Sequence, residues 1–249
     1  MTKKLDFIQP DWPAPKVVRA LTTTRAGGFS QGNYAALNLA DNVEDISLNV
    51  ERNRNYLLKK LNLLKDPSWL RQVHSSRVVC ADDVNSQTEA DASWTSQAGL
   101  SCVILTADCL PVLFCDKNAE IVAAAHVGWR GMHAGILENT LSIFTMAGIL
   151  PSNVMVWLGP SISSNYYEID SSVRDVFIAT DPSCSYLFKP TRKGHWNFNL
   201  FKMASRILYL SGVGSITGGN YCTYLDQRFF SYRRDNLCGR QATMIWLDS

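Results

Sequence analysis

Three short apolar runs lie almost end to end in the middle of the chain: Ser101–Thr106, Pro111–Cys115 and Glu120–Ala125. Runs of this length without polar alternation suit strands covered on both faces. A chain carrying them needs a layer of structure on either side of a buried sheet. The turn between the first two, Ala107-Asp108-Cys109-Leu110, and the residue after the third, His126, then put polar side chains at strand ends. Gly128-Trp-Arg-Gly131 turns the chain into a helix carrying Ile136, Leu137, Leu141 and Phe144, closed by Gly148.

The flanking pattern is less regular. Lys16–Thr23 predicts a strand, followed by a glycine-rich loop over Arg25–Asn33. Val50, Leu57, Leu61 and Leu64 fall at helical spacing, which predicts a helix over 48–64 with Ser47 or Asn49 as its cap. Short strands are expected at Trp69–Val73 and Arg77–Ala81, ending near His74 and Ala81. Further on come a strand at Val154–Leu158, helices near Ser172–Ala179 and Asn199–Leu210, and strands near Phe229–Tyr232 and Ala242–Leu247. Strands and helices mix without strict alternation, so the pattern predicts one α+β domain over residues 1–249.

Composition excludes several classes. Among 249 residues, 24 Lys and Arg against 22 Asp and Glu give a net charge of +2, and the charges are interspersed. A nucleic-acid partner is therefore not expected. The richest apolar stretch, Leu100–Phe114, is broken by Asp108 and Pro111, so no membrane span is expected. The residues Met1 to Phe7 include two lysines but no apolar segment behind them, which argues against a secretory leader. Seven cysteines, an odd number with no Cys-x-x-Cys pair, fit a reducing cytoplasm.

The chemistry-bearing candidates are His74, Cys109 and His126, each expected at the end of a strand. Two imidazoles and a thiolate supply three protein ligands, the count of a catalytic zinc site that keeps a fourth position for water. The same set admits a blue-copper centre with an axial Met, or a thiol hydrolase using Cys109 with a histidine base. The deaminase signature H-x-E with P-C-x-x-C is absent. Arg130, opening a helix after His126, is a candidate anion ligand, with Arg25 beside Gly27-Gly28 and Asn53-Arg54 as weaker ones.

Taken together these segments resemble the YfiH/laccase-domain family, also described as zinc-dependent purine nucleoside phosphorylases or multicopper polyphenol oxidases. The resemblance rests on Thr22-Thr-Thr-Arg-Ala-Gly-Gly28, Leu37-Asn-Leu39, Asn53-Arg54, Gln72-Val-His74, Glu89-Ala-Asp91, Thr106-Ala-Asp-Cys-Leu-Pro111, Ala123-Ala-Ala-His-Val-Gly-Trp-Arg-Gly131, Leu158-Gly-Pro160, Tyr167-Glu168, Cys222-Thr223 and Phe229 to Asp235. It implies packed mixed β-sheets with outer helices, layered αββα. It implies zinc held by His74, Cys109 and His126, and phosphorolysis of adenosine, inosine, guanosine and methylthioadenosine, with adenosine deamination at the same site. A multicopper cluster needs more histidines than the four present. Where members often carry Ile-Gly-Pro-Cys, this chain has Ile162-Ser-Ser-Asn165.

The expected substrates are thus purine nucleosides and phosphate, in the cytoplasm, with Zn²⁺ as cofactor. Asp108 is the expected proton carrier beside Cys109, and Asn38, Arg54 and Arg130 are the expected substrate contacts, the arginines for phosphate. Two rival functions stand beside this one. The resemblance also implies an amidase that edits peptidoglycan precursors, since the family contains a cell-wall editing factor, and the trio by itself admits a metal-binding or redox protein without turnover.

Overall fold

Ser101–Thr106 and Leu110–Asp116 are consecutive strands separated by three residues, yet they belong to different sheets. The computed structural model describes residues 4–63, 65–85 and 87–248. In chain order the strands are β1 Phe7–Ile8, β2 Val18–Thr23, β3 Val78–Cys80, β4 Ala92–Thr95, β5 Ser101–Thr106, β6 Leu110–Asp116 and β7 Val122–Val127. They continue with β8 Val154–Leu158, β9 Glu168–Asp170, β10 Phe188–Pro190, β11 His195–Phe198, β12 Ser215–Gly218 and β13 Gln241–Leu247. The helices are α1 Ser47–Leu61, α2 Trp129–His133, α3 Ile136–Met146, α4 Ser171–Thr180, α5 Leu200–Leu210 and α6 Tyr232–Asp235.

Three sheets form, ordered β1-β2-β13-β5, β12-β8-β6-β7-β4-β3 and β10-β11-β9. The side-chain alternation of β6 shows how the first two stack. Leu110, Val112 and Phe114 pack with Leu137, Leu141 and Phe144 of α3 and Met203 of α5. Leu113 and Cys115 point the other way, into a core shared with Cys102 and Ile104 of β5 and Ile245 of β13. The outer face of the four-stranded sheet, with Leu21, Val103 and Met244, is covered by Leu57 of α1. The architecture is α+β, with two sheets back to back between helical layers, as expected. It explains why the central runs lack polar alternation, since β6 and β7 are buried along their whole length.

Several elements differ from expectation. The helix after Gly128 is two helices, α2 and α3, because Gly135 takes a left-handed φ of 89° between them. His133 therefore ends α2 rather than opening a long helix. No strand forms at Trp69–Val73; isolated bridges at Ser68 and Arg71 take its place, because the Asp91 carboxylate captures the following N–H groups. Phe229–Tyr232 is a turn leading into α6, since Ser231 Oγ accepts from Arg234 N and caps that helix. The cap position of α1 is Ile46, without a side-chain bond, rather than Ser47 or Asn49. Leu64, the last residue of the expected helical stripe, and Met1 to Lys3 of the leader reading lie outside the described residues. No helix among the described residues is long and apolar enough to cross a membrane.

Candidate metal centre

The register of the six-stranded sheet brings the chemistry to one end. Leu110 pairs with Val127 across β6 and β7, which sets Cys109 beside Gly128 just beyond the ladder. Ala92 pairs with Ala125 across β4 and β7, which sets Asp91 opposite His126. His126 has the parity of Ala124, and Cys109 that of Leu113, so both side chains emerge on the face turned toward the other sheet. His74 arrives from the loop between the two sheets. The site thus sits at the mouth of the sheet-to-sheet interface.

There the ligand atoms of His74, Cys109 and His126 all lie within 4.8 Å of one another. Cys109 Sγ is 4.0 Å from His74 Nε2, and the two imidazole rings meet edge to face with centroids 4.7 Å apart. His126 is buried and His74 is exposed, so the cluster is closed on one side and open on the other. A Cβ on Gly128 would stand 3.0 Å from His74 Cδ2 and 3.2 Å from Cys109 Sγ, filling the space between them. Two imidazoles, a thiolate and a backbone kept bare beside them fit a metal ion.

Asp91 organises both histidines. Its Oδ1 lies 2.8 Å from His126 Nδ1 and accepts from His74 N at 2.9 Å. Its Oδ2 accepts from Val73 N, Ser75 N and Ser75 Oγ at 3.2, 2.6 and 2.8 Å. With Nδ1 bonded to a carboxylate, His126 turns Nε2 toward the centre. The backbone bonds hold His74 at φ 61°, a left-handed conformation uncommon for a residue other than glycine. Asp91 stands in the Glu89-Ala-Asp91 segment, to which the sequence alone assigns no role. Its signal, a polar residue in a buried segment opposite a histidine, appears only once strand register is known.

Charge settles on the trio in a definite way. Burial alone would push the Cys109 thiol up, but the facing His126 and His74 imidazoles pull it down to about 6. Burial would lower His126, but the Cys109 thiolate and the Asp91 carboxylate raise it to about 9. Cys102 and Cys115, buried without such partners, are pushed up to about 12. Cys109 stands apart as the thiolate of this chain among those three.

Residues 19–248 match the family model described as multi-copper polyphenol oxidoreductase laccase. A purine nucleoside phosphorylase of Pseudomonas aeruginosa is 44% identical over 97% of this chain and 98% of its own length. The Escherichia coli purine nucleoside phosphorylase YfiH is 42% identical over 97% and 98%. The crystal structure of a Neisseria meningitidis protein, NMB0706, superposes with a TM-score of 0.93 at 42% identity, covering 98% of this chain and 99% of that one. The chain belongs to the laccase-domain family.

In this laccase-domain chain the other histidines take no part in the trio. His133 packs edge to face on Phe177 at 5.5 Å, and His195 Nδ1 lies 3.1 Å from the Lys193 carbonyl. The trio opens into a cleft of about 860 Å³ walled by Trp69, Leu70, Gln72, Leu105, Tyr232 and Arg240. That is within the range of about 300–1,000 Å³ for small-molecule sites.

The remaining predicted residues distribute unevenly around it. Arg54 borders the cleft, but its Nε donates to Leu39 O, its Nη1 pairs with Asp41 at 3.2 Å, and its plane lies over Trp69. Asn38 is wholly buried behind the wall, donating to Ala40 O and Asp45 Oδ2 and accepting from Ala40 N and Arg240 N. Arg130 lies over Trp129 and borders a different hollow. Asp108, at φ 93°, accepts from Thr223 Oγ1 and from Arg233 N, both at 2.6 Å, while its carbonyl takes Ser161 Oγ and Ile162 N. The Ile162–Asn165 segment thereby braces the Cys109 turn. Arg25 and Asn53 are tied into the glycine-rich loop, through Ala35 O and through Ser30, Ala36 and Asn38.

Proposed function

We propose that this chain is a zinc-dependent purine nucleoside phosphorylase that also deaminates adenosine. The observation that carries the reading is a three-ligand His-Cys-His centre, open on one side toward a cleft sized for a nucleoside. The relatives named purine nucleoside phosphorylase support it, since the chain matches them over almost its whole length. Four histidines, two of them packed away from the site, favour a mononuclear centre over a copper cluster.

His74, Cys109 and His126 would hold the zinc, which when bound supplies a Lewis acid and activates water near neutral pH. Asp91 keeps the His126 tautomer and the His74 peptide in place. Gly128 leaves the room the ion requires. Asp108 contributes by position, since both carboxylate oxygens hold the Cys109 turn against Thr223 and α6. Trp69, backed by Arg54, and Tyr232 both line the cleft and offer aromatic faces on which a purine would stack. Phosphorolysis breaks the C1′–N9 bond, forms a C1′–O bond to phosphate, and leaves a proton on the released base.

Product analysis on inosine and adenosine, with and without inorganic phosphate, tests the reading. Free base and ribose 1-phosphate should appear only when phosphate is present. Base release without phosphate, or turnover confined to peptidoglycan-precursor amides, would replace it with a hydrolase or an editing amidase.

A further inference from the structure

Two buried side-chain hydroxyls among the described residues have no hydrogen-bond partner there, Ser101 Oγ and Thr106 Oγ1. They stand at opposite ends of β5, and of the two only Thr106 lines the cleft at the metal centre. Thr106 has the parity of Cys102 and Ile104, whose side chains enter the core between the sheets. Its side chain therefore faces the six-stranded sheet, at the end where Cys109 and His126 emerge. Thr106 is only 2% exposed. Buried polar groups are nearly always paired, so an exception in the wall of a reactive cleft points to a ligand that completes it.

A cation stands beside it. Gln241 pairs with Thr106 across β13 and β5, which sets Arg240 opposite Ala107 just beyond the ladder, next to the Asp108-Cys109 turn. Ala107, Cys109 and Arg240 line the same cleft as Thr106. Arg240 is half-buried, and its Nη1 donates to the Cys238 and Gly239 carbonyls at 2.8 and 3.0 Å and reaches Cys238 Sγ at 3.6 Å. Its Nε and Nη2 have no hydrogen-bond partner among the described residues. The two other guanidinium groups in the cleft wall are neutralised, Arg54 by Asp41 at 3.2 Å and Arg71 by Glu89 at 3.1 Å. Arg240 has no carboxylate partner among the described residues. Arg130 borders a hollow that shares no wall residue with this cleft.

Phosphorolysis joins a phosphate oxygen to C1′, so the anion has to share one cleft with the nucleoside. Two guanidinium N–H groups and a hydroxyl supply three donors. That set suits a phosphate oxyanion better than a ribose diol, whose own O–H groups also need acceptors. We propose that inorganic phosphate sits in the nucleoside cleft between Arg240 and Thr106, with Nε, Nη2 and the threonine hydroxyl donating to its oxygens. The assignment rests on the phosphorylase reading above. It gives the Thr106 hydroxyl its partner only when substrate is bound.

The test compares zinc-loaded wild type, Thr106→Val and Arg240→Gln by calorimetric titration with inorganic phosphate and by steady-state phosphorolysis of inosine. Phosphate binding should weaken about tenfold in each variant. The KM for phosphate should rise by a similar factor, while the KM for inosine changes less than about twofold. Thr106→Val should melt no lower than wild type when phosphate is absent, because the deleted hydroxyl has no partner within the fold. It therefore guards against misfolding in the arginine variant, and a lower melting temperature would overturn the reading of that hydroxyl. Phosphate-dependent cleavage whose phosphate KM and affinity are unmoved in both variants keeps the phosphorylase reading and removes the phosphate seat. Wild-type phosphate binding that both variants weaken, in a protein that cleaves no nucleoside, keeps the seat and removes the phosphorylase reading. The 5′-phosphate of a nucleotide carries the same chemistry, so inosine 5′-phosphate is titrated alongside. Weaker binding of that nucleotide in both variants, with inorganic phosphate binding unchanged, would give the seat to nucleotides and overturn the proposal.

Discussion

Asp91 Oδ1 and His126 Nδ1 are 2.8 Å apart, and the same oxygen accepts the peptide N–H of His74, so one buried carboxylate sets two of the three candidate metal ligands. Asp91→Asn puts an amide donor where at least one of these donors needs an acceptor. Metal affinity should fall about 10–100-fold, read by chelator competition. Stability should fall by about 1–3 kcal/mol as a buried N–H loses its partner, read by denaturant unfolding of metal-free protein. Burial would raise the Asp91 carboxyl, but the His126 and Ser75 bonds hold it below the ordinary range. Its stabilisation is therefore present above a pH of about 4 and is lost as pH falls through the lower folded value. The wild-type advantage over Asn should shrink in acid.

Metal-free protein should carry a thiolate–imidazolium pair at neutral pH, since Cys109 titrates at about 6 and His126 at about 9. Zinc binding at pH 7.5 should then release about one proton, from His126. Calorimetry in buffers of different ionisation enthalpy reads that number. Zinc affinity should therefore fall about tenfold per pH unit below a pH of about 9, where His126 keeps its proton, and more steeply below about 6 as Cys109 also protonates. Alkylation of Cys109 should show that lower midpoint, and Cys102 and Cys115 should remain unreactive there. Release of two protons would place a neutral thiol in the metal-free protein.

Gly128→Ala introduces a methyl 3.0 Å from His74 Cδ2 and 3.2 Å from Cys109 Sγ, at a φ of −79° that alanine accepts without strain. The variant should fold with near-native stability and bind zinc at least tenfold more weakly. Metal analysis after gel filtration, alongside a melting curve, checks both halves. Full zinc content would show that the ligands do not close around the space beside Gly128.

The α+β class and two of the three candidate ligands were legible in the sequence because β6 and β7 carry their own signal, whereas the layering came only with the family resemblance. Their unbroken apolar runs mark strands covered on both faces, and Cys109 and His126 stand at the ends. His74 was legible as a residue but not as a conformation. A strand was expected, whereas long-range bonds to Asp91, 17 residues away, turn it left-handed. Asp91 itself has no local signature. The crossover of the Cys109 turn from one sheet to the other was likewise hidden, because β5 pairs with β13, more than 130 residues on. Phe229–Tyr232 read as a strand from its aromatics, but Ser231 and Asp108 capture the N–H groups of α6. Local propensity could not foresee a cap supplied by residue 108.

Cys109→Ser tests ligand against nucleophile. A hydroxyl is a poor zinc donor, so zinc content and turnover should fall together, with part of the activity returning in excess zinc. A folded, fully metallated and inactive Cys109→Ser, with a covalent adduct on the wild-type thiol, would make Cys109 the nucleophile.

The most direct measurement is zinc titration of the metal-stripped protein, recording bound zinc and phosphate-dependent release of hypoxanthine from inosine in the same samples. The His74–Cys109–His126 centre predicts activity proportional to bound zinc, saturating at about one ion per chain. Phosphorolysis that is full before zinc is added, or absent at one bound zinc per chain, would contradict it.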